Sequence, residues 1–258
     1  MYQSLSKVIF SGGIVKKEGE SKAAEKLRAL TTKAKKKLRD VKTLGGVIRS
    51  KFSAKPLEAL LKSSAYFGSL AMQKVMKRTW IVSWDTGAQA PYVFDSQMSG
   101  ALMWEAARAT SAAPTYFKGF EFRGKTLVDG GLTDNSPGVI AYEAAKKLHP
   151  QSKIFVISFG TGKFPRSKKV ATEGAFSGGI AQALGATIED LFAASEKKAD
   201  QRLRGQLGAN YVRISPTLSR AIDLADSKSS TMQELLSAAE SMLNTAEFNK
   251  AVQLLKAR

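Results

Sequence analysis

An aspartate in a glycine turn, between a predicted strand and a predicted helix, constrains the fold of this chain more than any other feature. Thr126–Val128 is a short apolar run typical of a strand, and residues 138–145 have the apolar spacing of a helix. Asp129, Gly130 and Gly131 lie between them. Because glycine lets the backbone turn sharply, we expect Asp129 at the carboxyl edge of a sheet, where α/β folds place their chemistry. An isolated Asp-Gly-Gly is more often an ordinary turn, so the neighbouring motifs decide between the two interpretations.

Short strands and helices follow one another along the rest of the chain, which predicts an α/β fold in one large domain or two small ones. The run 154–159 is continuously apolar, as in a strand buried on both faces of a parallel or mixed sheet. Gly160-Thr161-Gly162 follows it without the Gly-Lys-Ser/Thr ending that a phosphate-binding loop requires. The other predicted elements are helices over 56–71 with a turn at Gly68, 102–109, 181–204 and one or two within 231–257, a strand hairpin over 79–84 and 91–94, and a strand over 211–214.

The residue types in the sequence exclude several kinds of active site. The chain has no cysteine, which excludes disulfides, thiolate metal sites and cysteine nucleophiles. Its single histidine, His149, follows Lys147 at the predicted end of a helix, where both side chains complement the helix dipole. A Ser-His-Asp hydrolase needs a histidine base, and His149 is poorly placed for that role. We therefore predict neither a histidine-dependent triad nor a metal site, and no cofactor.

The formal net charge is +18, and much of it lies between Lys16 and Lys55. This basic segment, residues 16–55, carries fourteen lysines and arginines, and its apolar residues recur every three or four positions through part of its length. The pattern predicts an amphipathic basic helix. It fits a solvated helical insertion packed on the domain, or attachment to an anionic membrane. Nucleic-acid binding is the least favoured interpretation, because the segment lacks interleaved aromatic residues and any recognisable motif.

Membrane insertion is not predicted. No run approaches the roughly twenty uninterrupted apolar residues of a spanning helix, and the first ten residues lack the layout of a signal peptide. We expect a cytoplasmic location, with peripheral attachment to membranes as the alternative.

Three motifs, taken together, resemble the patatin-like phospholipase family of lipid acyl hydrolases. They are Ala107–Phe117 (ARATSAAPTYF), Val128–Pro137 (VDGGLTDNSP) and Ile157–Gly162 (ISFGTG), in the order and spacing that the family shows. The resemblance implies a three-layer α/β/α domain with a mainly parallel or mixed sheet. It also implies a Ser-Asp dyad that hydrolyses ester bonds in phospholipids or other acyl lipids of membranes or stores.

The resemblance assigns the dyad aspartate to Asp129, and it assigns the turn that supports this residue to Gly130, Gly131, Asn135 and Pro137. In the family, the aspartate assists deprotonation of the serine, and a dyad of this kind needs no histidine. Such a carboxylate is useful only if a serine hydroxyl lies within hydrogen-bond reach and backbone donors face the oxyanion.

The sequence departs from the family pattern at the nucleophile. The family places its serine in G-x-S-x-G on a strand-to-helix elbow, and places its oxyanion hole in an earlier glycine-rich loop. Neither motif occurs in this sequence. Ser99 and Ser177 lack the preceding glycine, and Ser11 precedes no helix of the elbow kind. The segment Tyr2–Phe10 resembles the part of the family that follows the nucleophile helix.

We therefore expect residues 1–258 to form a partial patatin-like domain, incomplete at its N-terminus, with residues 16–55 as a basic helical insertion. Such a chain carries the dyad aspartate without its serine and is expected to be inactive alone. It is also expected to be poorly soluble, or to depend on a partner chain that supplies the missing strands. The alternative is a non-catalytic module that uses the basic segment to bind an anionic membrane or another protein.

Overall fold

The computed structural model of the chain describes residues 50–163 and 179–256, and it describes the side chains of the second range from residue 190 onward. The segment Tyr2–Phe10 and most of the basic segment lie outside these residues. Residues 50–55 of the basic segment are described, and the first helix begins at Lys55.

The described residues form a mixed α/β fold, which confirms the predicted class. The strands are β1 (Trp80–Asp85), β2 (Ala90–Asp95), β3 (Phe120–Phe122), β4 (Lys125–Asp129), β5 (Val156–Phe159) and β6 (Tyr211–Ile214). The α-helices are α1 (Lys55–Leu61), α2 (Met103–Thr110), α3 (Gly131–Asp134), α4 (Gly138–Leu148), α5 (Gly179–Leu207), α6 (Ser229–Ser241) and α7 (Ala246–Lys256). Short 3₁₀ turns lie at Met72–Lys74, Gly208–Asn210 and Met242–Asn244.

Four of the strands form one sheet in the order β2-β1-β4-β3, and all its pairs are antiparallel. The predicted hairpin of β1 and β2 is confirmed, with Trp80 opposite Asp95. The hairpin of β3 and β4 was not predicted, because β3 is only three residues long. Arg123 and Gly124 connect these strands with φ of 50° and 74°, the left-handed conformations that a tight two-residue hairpin turn requires.

The remaining two strands, β5 and β6, pair in parallel, so the described strand pairs are of mixed direction. The prediction that residues 154–159 are buried on both faces is wrong. The strand itself spans only Val156–Phe159, its first three residues are half-buried, and Phe159 is 72% exposed. The faces of a strand are buried by elements packed above and below its sheet, and the exposure of Phe159 shows that no such element of the described chain covers this ring.

The helices predicted within the described residues are present, and two of those predictions differ clearly from the observed helices. The helix predicted to precede Gly68 ends at Leu61, and the C-terminal pattern resolves into the two helices α6 and α7. His149 is the C-terminal cap of α4, and its N–H donates to the Ala145 carbonyl. Its predicted position at a helix end is thus confirmed.

Helices lie on both faces of the four-stranded sheet, as a three-layer arrangement requires. On one face, Ala106 and Ala109 of α2 let the helix approach Phe94 and Leu127 closely in the main apolar core. On the other face, Trp80 and Val93 line a pocket together with Ile140 and Ala144 of α4. The sheet is therefore the middle layer, and Asp129 stands at the end of one of its two inner strands.

A buried cation joins α1 and α2. The Arg108 side chain is only 2% exposed, and its Nε donates a hydrogen bond to Glu58 Oε1 at 3.1 Å. Its Nη2 donates to the Lys118 carbonyl at 2.8 Å. Burial lowers the pKa of Arg108, while the partner carboxylate raises it. The pair holds the helix that precedes the small-residue run against the helix at the start of the described chain.

Candidate active site

Asp129 is the last residue of β4, so its predicted place at the end of a strand is confirmed. All described pairs of this sheet are antiparallel, so the predicted carboxyl edge of a sheet does not exist here. Its backbone N–H donates to the Ala112 carbonyl at 3.1 Å, which joins the strand end to the small-residue run after α2. The N–H of Gly131 donates to Asp129 Oδ1 at 2.8 Å. The turn therefore holds one carboxylate oxygen in a defined orientation by a local hydrogen bond.

The surroundings of Asp129 favour its neutral form. Burial raises the pKa of Asp129 above its ordinary value of 3.8, and the hydrogen bond from the Gly131 N–H lowers it in part. A carboxylate with a raised pKa accepts a proton more readily, which is the property required of a general base. Among the described side chains, none forms a hydrogen bond with the Asp129 carboxylate.

Position 130 requires glycine because the turn lies too close to the backbone of β1 for a Cβ atom to fit. A Cβ atom at this position would lie 2.2 Å from the Val82 carbonyl oxygen and 2.6 Å from the Val82 carbonyl carbon. Its φ of −68° is open to any residue, so the requirement is steric. The turn therefore packs directly against the backbone of β1.

Gly131 and Asn135 are brought together beside Asp129. A Cβ at Gly131 would lie 3.0 Å from Asn135 Oδ1 and 3.1 Å from Asp129 Oδ1. The Asn135 N–H donates to Ser195 Oγ at 3.1 Å, and the Ser195 hydroxyl donates to the Thr133 carbonyl. Ser195 belongs to α5, so this long helix anchors the turn.

Pro137 precedes α4 as its N-terminal cap and is exposed. Of the predicted site residues, the structure therefore gathers Asp129, Gly130, Gly131 and Asn135 at one turn. Pro137 lies at the exit of that turn and starts the next helix.

A buried arginine supports the same loop, and the sequence did not indicate it. The Arg213 side chain is 8% exposed and forms an ion pair with Glu196 at 2.7 Å between Nη2 and Oε1. Its Nη1 donates to Ser158 Oγ at 2.6 Å and to Ser136 Oγ at 3.3 Å. Arg213 therefore links β6, β5 and α5 to the Asp-Asn-Ser-Pro loop. The one available signal was an arginine inside the otherwise apolar strand Tyr211–Ile214.

The serines considered as nucleophiles are not brought to Asp129 in the described part of the chain. Ser99 is exposed in the loop after β2 and accepts a hydrogen bond from Arg123 through its carbonyl. Ser11 and Ser177 lie outside the described residues. Among the described side chains, those of residues 50–163 and 190–256, no group of three or more acidic or histidine residues is placed to hold a metal ion. Within residues 50–163 and 179–256, no helix is both long and apolar enough to cross a lipid bilayer.

The family model for patatin-like phospholipases matches residues 9–142, just over half of the chain. The chain belongs to the patatin-like phospholipase family. The matched residues include the Ala107–Phe117 motif and the Asp129 turn, whereas Ile157–Gly162 lies beyond them.

Curated relatives include phospholipases from animals, a plant and a bacterium. The 85/88 kDa calcium-independent phospholipase A2 of Rattus norvegicus is 29% identical over 188 residues, which cover 62% of this chain and 22% of the relative. Calcium-independent phospholipase A2-gamma of the same species is 29% identical over 135 residues, covering 52% and 17%. The cGAMP-activated phospholipase of Pseudomonas aeruginosa is 30% identical over 111 residues, covering 43% and 33%. The chain thus spans a third or less of the length of these relatives.

Proposed function

We propose that this chain contributes the aspartate of a Ser-Asp dyad that hydrolyses ester bonds in phospholipids or other acyl lipids, with Asp129 as the proton acceptor. The observation that carries the proposal is the state of the Asp129 carboxylate. One oxygen is held by the Gly131 N–H, and burial raises its pKa. Its second oxygen takes no hydrogen bond from the described residues, so it is available to an incoming hydroxyl. Membership in a family of phospholipases supports the lipid substrate.

In the proposed reaction, Asp129 receives the serine proton as the serine oxygen bonds to the ester carbonyl carbon. The tetrahedral intermediate then collapses, and Asp129 returns the proton to the departing alkoxide. In the second half, water gives its proton to Asp129 and attacks the acyl-serine, after which the serine oxygen recovers the proton. The hydrogen bond from the Gly131 N–H keeps the carboxylate oriented through both halves.

The sequence contains no G-x-S-x-G motif to supply the serine of this dyad. We therefore propose that the chain alone is inactive. Loss of a catalytic serine typically lowers the rate on the order of a million-fold. The test compares the purified chain with Asp129→Ala on p-nitrophenyl esters and phospholipid vesicles. We expect equal background rates, and turnover that Asp129→Ala abolishes would overturn the inactivity.

The dyad itself is tested by adding a second polypeptide that carries a G-x-S-x-G elbow, since a partner chain could supply that segment. The readout is labelling of the added serine by a fluorophosphonate. We expect labelling in the mixture, and slower labelling with Asp129→Asn. Asp134→Asn is the matched control, because it removes a carboxylate from the same loop. Equal effects of the two variants would argue against Asp129 as the base.

A second candidate function is peripheral attachment to anionic membranes through the basic segment. The observation that favours it is fourteen basic residues against four acidic ones in residues 16–55. Each Lys or Arg near an anionic surface contributes about 1 kcal/mol. Changing Lys35, Lys36 and Lys37 to glutamine should therefore weaken binding to anionic vesicles on the order of a hundredfold.

Co-sedimentation with anionic and neutral vesicles across salt concentrations checks this candidate, because ions screen electrostatic attachment. Equal binding to both vesicle types would contradict it. A salt-titrated mobility shift with random duplex DNA detects the nucleic-acid alternative.

A further inference from the structure

Ser83 lies directly opposite Asp129 in the pairing of β1 with β4. The Asp129 N–H donates to Ala112 and not to Ser83, so the two residues form a pair of the non-hydrogen-bonded type. In such pairs both side chains project from the same face of the sheet, and their Cβ atoms are about 4.5–5.5 Å apart. The two side chains are therefore cross-strand neighbours at the candidate active site.

The Ser83 hydroxyl is buried and has no hydrogen-bond partner among the described residues. Ser83 is 0% exposed. A buried hydroxyl without a partner is costly, so an acceptor within reach of a side-chain rotation is expected to capture it.

The other neighbours of Ser83 on that face are already engaged. Asp85 accepts hydrogen bonds from Lys125 Nζ and from the backbone N–H of Gly87 and Ala88. On the far side of Ser83, Tyr92 is its partner in β2, and the Tyr92 hydroxyl donates to Met98 Sδ. Directly across the strand pair from Ser83 stands the Asp129 carboxylate, whose second oxygen takes no hydrogen bond from the described side chains.

We propose that the Ser83 hydroxyl donates a hydrogen bond to Asp129 Oδ2 and positions the carboxylate from the side opposite to Gly131. Rotation about the Cα–Cβ bond of Ser83 brings its hydroxyl toward this oxygen. One carboxylate oxygen is then oriented by the Ser83 hydroxyl on β1, and the other by the Gly131 N–H in the turn. A carboxylate accepts about four hydrogen bonds, so Oδ2 retains a lone pair for a second hydroxyl. The role of Ser83 in catalysis rests on the proposed dyad, whereas the hydrogen bond does not.

Charged groups near the turn do not compete for this role. Burial raises the pKa of Asp129, the hydrogen bond from the Gly131 N–H lowers it in part, and no charged side chain contributes. The charged groups on the elements packed around the turn are Lys125 with Asp85 on β4 and β1, Arg108 with Glu58 on α2 and α1, Asp134 on α3, and Glu196 with Arg213 on α5 and β6.

The test is an NMR titration of the Asp129 carboxyl carbon in the full chain. Ser83→Ala removes the donor to the ionised form, so we expect the pKa of Asp129 to rise further. Ser83→Cys has a similar volume and a weaker donor, so it should shift the pKa in the same direction and serves if the alanine variant does not fold. Ser96→Ala is the matched control, because Ser96 is a buried serine of the same sheet region that bonds only the Thr79 backbone.

A pKa of Asp129 that is unchanged or lowered in Ser83→Ala would overturn the proposal, as would an equal rise in Ser96→Ala. The titration requires no ester turnover. Failure of the Ser-Asp dyad in the labelling experiment therefore leaves this result intact, and the two proposals can fail separately.

Discussion

The close approach of the Asp129 turn to β1 makes Gly130→Ala a sharp test of how the turn is built. The added Cβ would lie 2.2 Å from the Val82 carbonyl oxygen, whereas ordinary carbon contacts are about 3.5–4.0 Å. Gly130 has α-region dihedrals, so alanine meets no conformational penalty there. The obstacle is backbone and not a flexible side chain, and β1 is held on both sides by β2 and β4.

The expected loss of stability follows from this geometry. Forcing an extra carbon into a packed site typically lowers the free energy of unfolding by about 1–3 kcal/mol. Because the clash here is with the backbone of an inner strand, we expect Gly130→Ala to lower it by about 3 kcal/mol. For a chain of this size, that corresponds to a fall in Tm of roughly 6–12 °C. Gly205→Ala is the matched control, because no atom lies within 4 Å of its Cβ and the site is inside α5. It should stabilise the chain by about 0.5–1 kcal/mol.

Urea unfolding followed by circular dichroism measures both variants. The reasoning is refuted if Gly130→Ala unfolds at the same urea concentration as the wild type, because the turn would then yield without cost. A lowered midpoint with a changed slope would instead indicate a change in the compactness of one state.

Three further predictions concern other parts of the molecule. Glu58→Ala leaves the buried Arg108 guanidinium without its carboxylate partner and should lower the free energy of unfolding in urea by about 2 kcal/mol, less than for a fully buried pair because Glu58 is 30% exposed. An unchanged free energy of unfolding would contradict this prediction. Because burial raises the folded-state pKa of Asp129, its ionisation destabilises the fold as pH rises from 3.8 through the raised value. Asp129→Asn should therefore gain stability relative to the wild type across that interval and not below it, and a pH-independent difference in urea unfolding would contradict this. Phe159→Ser should change the free energy of unfolding in urea by less than about 0.5 kcal/mol, because Phe159 is 72% exposed. A larger loss would contradict the exposed position of this ring.

Local sequence patterns predicted most helices and strands correctly. The hairpin of β1 and β2 has β-branched and aromatic residues around a polar turn, and α4 has the apolar spacing of a packed helix. These signals come from neighbours in sequence, so no tertiary context was needed. The position of Asp129 at the end of β4 followed in the same way, from a strand run interrupted by two glycines.

Short or incompletely covered elements could not be predicted in this way. A three-residue strand such as β3 shows no periodicity, and its existence depends on pairing with β4. The apolar run around Phe159 carries no information on whether another element covers it. In the described chain, no element covers that ring, which is 72% exposed.

The sequence by itself determined the α/β class and the family resemblance, and it singled out Asp129 as the candidate site residue, because these depend on residue types at fixed spacing. Only the tertiary structure decided what surrounds that aspartate. It places Ser83 across the strand and Gly130 against the Val82 carbonyl, and it brings Arg213 to the loop from a distant strand. These relations depend on strand register and on contacts between elements far apart in the chain, which no local pattern of residues specifies.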